Sequence, residues 1–399
     1  MMTDLPRLEP SIPQKQLYPD HAAFMARTDH TQTRLLGYTS FNLDAVTTLL
    51  IGLLGHRSTI RHRSGVTDEI LAVLERTGLT SMEDMRIYET TEQAEQHADQ
   101  LIEEGKKLFW PYPLPTDRYP VSAHLVPPDI MRQLNAKQNL EQLVPAQNLV
   151  HRQIHSIEHL HENGFKKPVY LKAGGDLATG WGYAVRHCPN RKSWRQAVQW
   201  FHTLKGVDQV IIEDEIAVQT CWCVTLVIDE RQTVFAGAAE QAFSLPGKQS
   251  GSIIDPQHVI PDDGVQLAIK VGEAARQRSF VGIAGLDIGL TKDNRLIVFD
   301  PNFRINSSST QVLLHHTAAA RCGLNTSYSF HATTGLTLAS LAQKLHGPID
   351  DGWFVPTRLI DEKYLPAAKG QCLCSGFILG TNRRDAIARH TRLKQIINS

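Results

Sequence analysis

The sequence predicts a multidomain chain of mixed α/β and α+β class. Its 399 residues are too many for one small hydrophobic core, and this length favours two or three domains. Strand-like and helix-like segments alternate up to about residue 125, which is typical of an α/β domain. Farther along, residues 281–311 have the pattern of a β-hairpin, and residues 168–182 have that of a strand followed by a glycine-rich loop.

Charge and targeting signals exclude several classes of protein. Lys+Arg and Asp+Glu both number 41, so no net charge draws the chain to nucleic acid or to a membrane surface. The first ten residues lack the pattern of a secretory signal, and the most apolar window, residues 45–54, is too short to cross a bilayer. We therefore expect a cytoplasmic protein without a nucleic-acid or membrane partner.

The six cysteines do not form a disulfide framework in a chain of this length. Two C-x-C pairs, Cys221/Cys223 and Cys372/Cys374, are the possible exception, since cysteines can bind zinc. Their spacing is not that of common zinc sites, and alternate residues of a strand face the same way. We interpret them as buried reduced thiols.

The N-terminal domain, residues 1–125, contains no motif that identifies its chemistry. We expect its aromatic side chains to pack beneath a proline-rich loop rather than to line a pocket. The expected elements are a short strand at 34–38, helices at 44–55, 67–77 and 91–106, and that loop at 108–120.

The rest of the chain alternates helices and strands around its polar motifs. We expect helices at 128–143, 156–163, 192–204 and 265–278, and strands at 169–171, 209–216, 220–229 and 233–240. A mobile loop is expected at 245–261. A small α+β segment should follow residue 335, in which Arg383, Arg384 and Arg389 form a solvated helix start.

The glycine-rich loop follows a strand that ends at Lys172. Backbone amides without side chains over them can wrap a phosphate, and a lysine at the base of such a loop adds a positive charge. The loop matches neither common phosphate-binding pattern, so an ordinary turn is the alternative. Its candidate residues are Gly174, Gly175, Thr179 and Gly180.

The hairpin at 281–311 brings several polar residues together. If Asp293 and Asn294 form a two-residue turn, counting outward places Asp287 opposite Asp300. Asn302 then shares the face of Asp300. Two facing carboxylates repel each other unless a cation or a proton lies between them, and an all-oxygen set suits Mg²⁺. A solvated strand end is the alternative interpretation.

Taken in this order, the segments from about Lys137 to Thr310 resemble the ATP-grasp superfamily of carboxylate ligases. The resemblance implies an ATP-grasp fold, with nucleotide bound between two α+β subdomains. It implies that Lys172 and Lys137 contact the phosphates, that the glycine loop closes over them, and that residues 213–216, with Glu213 and Ile216, form the adenine-binding hinge. It further implies that Asp287, Asp300 and Asn302 bind Mg²⁺, with Mn²⁺ as an alternative, and that Arg304 steadies a carboxylate or acyl phosphate.

The chain departs from the family pattern at two places. Position 300 is Asp where the family more often has Glu, and the usual ribose-binding acid is replaced by Gln219 or Thr220. The segment after Asn302, together with Gln241, looks most like amino-acid and peptide carboxylate–amine ligases of natural-product pathways. His315 and His316 follow the site, and we expect them to be structural.

The resemblance implies an ADP-forming ligase that activates a carboxylate and joins it to an amine. Transfer to a thiol of a carrier protein and nucleotide binding without ligase activity are the alternatives. Dimers are common among relatives. We expect domains at 1–125, 126–208 and 209–335, and a small C-terminal segment at 336–399.

Overall fold

The computed structural model describes residues 5–175, 183–245, 248–365 and 369–398, whose strands form three sheets. The N-terminal part contains strands β1 (Ala22–Phe24), β2 (Ser58–His62), β3 (Asp84–Tyr88) and β4 (Lys107–Phe109) and helices α1 (Gln14–Leu17), α2 (His30–Thr33), α3 (Ser40–Ala45), α4 (Asp68–Arg76) and α5 (Thr91–Glu103).

The N-terminal sheet is parallel throughout, in the order β3-β2-β1-β4. Helix α5 packs on it and begins with a capping box between Thr90 and Gln93. The helices predicted at 67–77 and 91–106 are confirmed as α4 and α5. The strand expected at 34–38 is wrong, because Arg34–Leu36 is a 3₁₀ turn whose Leu35 and Leu36 are buried in separate clusters. The helix expected at 44–55 is also wrong, since α3 ends at Ala45.

The second sheet is antiparallel, in the order β5-β8-β6-β7. Residues 156–163 are not the expected helix, because the segment before them pairs with β8 as an edge strand and ends in a 3₁₀ turn, Ile157–His159. The elements of this part are β5 (Arg152–Ser156), β6 (Val169–Ala173), β7 (Val185–Cys188), β8 (Gln209–Asp214), α6 (Pro128–Asn135) and α7 (Arg191–His202).

The predicted helix at 128–143 is interrupted. Helix α6 ends at Asn135, and Ala136 is extended before a 3₁₀ turn, Lys137–Gln142. The Asn135 side chain donates to the Met131 carbonyl 2.9 Å away, and its oxygen accepts from the backbone N–H of Phe303, also at 2.9 Å. The break therefore places Lys137 at the start of a new turn and ties that turn to the hairpin.

The third sheet has eight antiparallel strands in the order β13-β12-β9-β10-β11-β14-β16-β15. Its strands and the helices around it are β9 (Val218–Ile228), β10 (Thr233–Leu245), β11 (Lys248–Ile254), β12 (Gly282–Thr291), β13 (Leu296–Asn302), β14 (Thr326–Thr334), β15 (Phe354–Asp361), β16 (Cys372–Gly380), α8 (Asp262–Arg276), α9 (Ser309–Cys322), α10 (Leu338–Asp350) and α11 (Arg383–Asn398).

Strand β11 lies inside the segment expected to be a mobile loop. Gly251 allows this, because a Cβ there would come within 3.0 Å of the Ser329 hydroxyl on β14. A Gly/Ser-rich sequence therefore forms a strand where side chains of the neighbouring strand fill the space that a Cβ would occupy. The C-terminal strands β15 and β16 belong to the same sheet.

The domain divisions stay predictions, and sheet membership bears on two of them. Strand β8 lies in the second sheet, which favours a division after Asp214 rather than after residue 208. The last 64 residues share the third sheet with β14 rather than forming a separate piece. Arg383 is also not solvated as expected: its Nε lies 2.5 Å from Asp255, and its Nη1 lies 3.1 Å from Glu240.

Four larger apolar clusters hold these sheets together. One lies under the N-terminal sheet, and one lies between the second sheet and α7. A third packs α8 on β9 and β12, and the largest joins the N-terminal helices to the C-terminal strands. Within the described ranges, no helix is both long enough and apolar enough to cross a membrane.

Candidate active site

The hairpin of β12 and β13 pairs Asp287 with Asp300, as the sequence predicted, although its turn is different. The loop has three residues, since the N–H of Thr291 donates to the carbonyl of Arg295 at 2.9 Å. Asn294 takes the left-handed conformation, with φ 60°, that closes such a loop. A β-bulge between Asp287 and Ile288 shifts the register by one residue and restores the predicted pairing at the carboxylates.

The two carboxylates lie in an environment that favours a cation. Burial, and then the charge of Asp300, raise the pKa of Asp287 to about 6, while Gln241 and Lys137 act in the opposite direction. The Lys137 ammonium forms an ion pair with Asp300, so a positive group already lies beside this carboxylate. Asn302 is buried two pairs farther along, opposite Gly285. Two carboxylates and an amide oxygen fit Mg²⁺.

The loop after β13 is held over the same end of the hairpin by Asn306. Its side chain lies against Gly285, where a Cβ would come within 1.9 Å of the Asn306 amide nitrogen. The amide nitrogen also donates to the Cys223 sulfur at 3.1 Å, and the amide oxygen accepts from the backbone N–H of Ser308 at 3.0 Å. Only a glycine at 285 allows this packing. Asn306 was not singled out from the sequence.

The two lysines come from different elements. Lys172, on β6, is buried and forms an ion pair with Glu213 on β8, and its Nζ lies 3.4 Å from the Phe299 carbonyl. Arg152 on β5 reaches the same carboxylate at 3.5 Å. The Glu213 carboxylate is therefore engaged by two cations, and its role in an adenine-binding hinge stays a prediction. Ile216 lies just after β8, in the link to β9.

The start of the glycine loop is anchored near Lys137. The backbone N–H of Gly175 donates to the Gln138 side chain at 3.0 Å, and its φ of 96° favours glycine. Gly174 packs against Gln209, where a Cβ would come within 3.2 Å. The predicted loop residues Thr179 and Gly180 lie outside the described residues.

Arg304 follows the metal-binding candidates and meets the N-terminal domain. Its guanidinium lies 5.1 Å from the ring centre of Tyr112, which belongs to the proline-rich loop. Burial raises the pKa of Tyr112, Arg304 opposes that shift, and Asp300 adds to it. Tyr112 packs with Leu36 and Tyr38. Tyr112 therefore packs as expected for an aromatic residue of this loop, and it also contacts the candidate residue Arg304.

The C-x-C pair of β9 lies beside the carboxylates. Cys221 and Cys223 are both buried, and burial, followed by the charge of Asp287, raises the pKa of each thiol. All six cysteines are free thiols. No group of three or more His, Cys, Asp or Glu residues within the described ranges could hold a metal ion.

The two histidines after the site differ in exposure. His315 is partly buried on α9, and its Nδ1 lies 2.9 Å from the Ser327 hydroxyl. Burial, and then His316, lower the pKa of His315 to about 4. His316 is exposed. These contacts fit the structural role expected for His315.

Two family models match consecutive parts of the chain. One, described as the L-aspartate--L-methionine ligase N-terminal domain, matches residues 14–132, and the other, described as L-aspartate--L-methionine ligase, ATP grasp, matches residues 150–302. The second match contains Lys172, Glu213, Asp287, Asp300 and Asn302. The chain belongs to the ATP-grasp carboxylate–amine ligases. The predicted family, fold class and enzyme class are confirmed: it catalyses ATP-dependent ligation that forms an amide bond.

Solved structures of ATP-grasp enzymes share this fold over almost the whole chain. An ADP complex of purK, N5-carboxyaminoimidazole ribonucleotide synthetase, has a TM-score of 0.55 at 12% identity and covers 98% of each chain. The L-amino acid ligase from Bacillus licheniformis has a TM-score of 0.54 at 12% identity, covering 94% of this chain and 97% of that one. Biotin carboxylase from Campylobacter jejuni has a TM-score of 0.53 at 11% identity, covering 92% and 89%.

Proposed function

We propose that this ATP-grasp ligase joins two amino acids. It activates the carboxylate of an acidic amino acid such as aspartate and transfers the resulting acyl group to the amino group of a second amino acid such as methionine. The name of the matching family, L-aspartate--L-methionine ligase, supports this choice of substrates. One structural observation carries the proposed chemistry: Lys137, Lys172, the facing carboxylates and Arg304 converge from separate elements.

The residues divide the work between charge neutralisation and positioning. Asp287, Asp300 and Asn302 would hold Mg²⁺, which when bound neutralises phosphate oxygens. Lys172 and Lys137 lie at the base of the glycine loop and supply positive charge to the phosphates of ATP. Both lysines pair with carboxylates of the chain, Lys172 with Glu213 and Lys137 with Asp300. The phosphates of ATP would therefore compete with these carboxylates for two ammonium groups whose positions are already fixed.

The reaction then needs little covalent chemistry from the protein. An oxygen of the substrate carboxylate attacks the γ-phosphorus, the bond to the β-phosphate oxygen breaks, and ADP leaves. The amine attacks the resulting acyl phosphate, the carbon–oxygen bond to phosphate breaks, and the amine loses a proton. The planar guanidinium of Arg304 is suited to hold the carboxylate during attack.

The test is ADP and phosphate release from ATP and Mg²⁺ with aspartate and methionine, and then with all pairs of amino acids. Release that requires two amino acids, with a product mass equal to their sum less one water, is the expected result. Release with one acid alone, trapped by hydroxylamine, would instead favour transfer to a carrier-protein thiol. No release with any pair would contradict the proposed substrates. A cytoplasmic location and a homodimer also stay proposals, to be tested by fractionation and light scattering.

A further inference from the structure

The β15 edge of the eight-stranded sheet carries an arginine that the proposed reaction has not used. Arg358 lies directly across from Ser375 on β16, which in turn lies across from His331 on β14. A β-bulge between Pro356 and Arg358 shifts the strand by one residue and turns the arginine onto that face. Its Nη2 donates to the Ser375 hydroxyl at 3.3 Å, and His331 Nδ1 lies 2.8 Å from the same oxygen.

Arg358 has no acidic partner within the described ranges. No carboxylate there forms an ion pair with it, and its Nε atom is buried without a hydrogen-bond partner among those residues. Two arginines whose side chains are enclosed differ: Arg61 lies 2.6 Å from Glu83, and Arg152 contacts Glu213. Arg358 is half-buried, and a guanidinium withdrawn from water without a counter-ion costs free energy; its desolvation lowers the pKa of Arg358.

The face that carries Arg358 is continuous with the candidate metal site. Gln241 bonds to Asp287 and pairs with Ser252 across β10 and β11. The backbone N–H of Ser252 donates to the Ser329 hydroxyl at 2.9 Å, and His331 lies two residues beyond Ser329 on the same face of β14. A row of small polar side chains thus connects the two ends of the sheet.

Two tyrosines of the N-terminal domain connect the same two ends more directly. Tyr38 lies close enough to Arg358 to affect the pKa of its guanidinium, and it packs with Tyr112. Tyr112 lies against Arg304. The packed side chains of Tyr112 and Tyr38 therefore lie between Arg304 and Arg358.

We propose that Arg358 binds a carboxylate of an amino-acid substrate other than the carboxylate that is activated. This inference rests on the proposed function and adds a determinant of substrate specificity to it. An uncompensated guanidinium is a strong partner for a carboxylate, because its planar donors match the two oxygens and the pair is poorly screened when buried. Ser375 and His331 add neutral hydrogen-bonding groups beside it. Two substrate groups have this chemistry: the side-chain carboxylate of the acidic donor and the α-carboxylate of the acceptor.

The experiment compares substrates with and without each carboxylate. For the donor, kcat/KM is measured with aspartate and with asparagine; for the acceptor, with methionine and with methionine amide. The wild-type enzyme is expected to prefer the carboxylate substrate in both comparisons. In Arg358→Gln, one of the two preferences should fall at least tenfold, and the one that falls identifies the carboxylate that is bound. The KM for ATP should not change.

Controls separate loss of a contact from loss of structure. Arg384→Gln removes an exposed arginine of α11 and should leave both preferences unchanged. Arg358→Lys keeps the charge but loses the planar fork, so its preference should lie between those of the wild type and Arg358→Gln. If the glutamine variant does not fold, the lysine variant decides the question.

Unchanged preferences in a folded variant would overturn the proposal, as would a wild-type enzyme without either preference. Failure of the wild type to join aspartate and methionine would instead contradict the proposed substrates. The same comparisons would then be made with the pair that the amino-acid screen identifies, so the two failures are distinguishable.

Discussion

The two ends of the eight-stranded sheet present opposite charges on one face. At the β12–β13 end, Asp287 and Asp300 face each other, and Lys137 contributes a positive partner. At the β15 end, Arg358 lies beside neutral Ser375 and His331, with no carboxylate paired to it among the described residues. The first end suits a cation and phosphates, whereas the second suits an anion.

This difference suggests where the chain tolerates a cost in stability. Facing carboxylates and an uncompensated arginine both destabilise a folded protein unless a ligand neutralises them. Arg61 and Glu83 in the N-terminal domain form the opposite case, because each fully buried charge has its partner 2.6 Å away. A pair of that kind holds structure together, whereas the charges at the two sheet ends are the ones proposed to meet ligands.

The largest effect is expected at the acidic end. Asp287→Asn removes one charge of the facing pair, and it should lower turnover about 10³-fold, or about 4 kcal/mol in the barrier, because charge stabilisation at the phosphates is lost. Folding should be intact, since a repulsive buried charge is removed. Steady-state ADP release and a thermal unfolding curve measure the two effects.

Asp293→Asn is the matched control, since this exposed acid lies at the tip of the same hairpin. It should leave turnover unchanged. Full turnover in Asp287→Asn would refute the assignment of the metal site.

A smaller effect is expected where Lys172 enters the site. Lys172→Met should weaken ATP binding at least tenfold in calorimetry. It should also lower the free energy of unfolding by about 3 kcal/mol, because Glu213 is left buried with only the more distant Arg152.

The double variant Lys172→Met/Glu213→Gln separates these two effects. It should recover stability, because the unpaired buried charge is gone, but it should not recover ATP affinity. Unchanged ATP affinity in the single variant would show that Lys172 does not contact the nucleotide.

The smallest effect is expected at His315, which lies on α9 against Ser327 in the middle of the sheet. The pKa of His315 is about 4 in the folded chain against 6.5 when unfolded, so the unfolded state takes up the proton first as the pH falls. Stability is therefore lost between pH 6.5 and 4, and this group accounts for about 2 kcal/mol of the loss between pH 7 and 5. His315→Gln should reduce that loss in denaturant titrations at the two pH values.

His316→Gln changes the exposed neighbour and should leave most of the pH dependence in place. An equal pH dependence in wild type and His315→Gln would show that the buried ring does not titrate as described.

The acidic end could be predicted from the sequence because it is local. Asp287, Asp300 and Asn302 lie within one hairpin, where alternation and a turn signal set the pairing. The prediction of the pair was right although the turn was wrong, since the bulge compensates for the three-residue loop. Lys172 and Glu213 also lie in segments that the sequence identifies. Their ion pair could not be predicted, because it depends on the pairing of β6 with β8.

The cationic end could not be predicted, because it depends on distant parts of the chain. Arg358 is separated from Tyr38 by most of the sequence, and no spacing rule connects a C-terminal strand to an N-terminal loop. Strand β11 was missed for the same kind of reason, since its glycine is favourable only against β14. The bulge that turns Arg358 onto the site face leaves no clear signal in the sequence either.

The bulge beside Asp287 also has a practical consequence for labelling. Residues 292–294 are exposed, and the register that they set ends at the bulge, before the two carboxylates. A fluorophore attached at this tip would therefore sit on the same hairpin as the carboxylates without shifting their pairing.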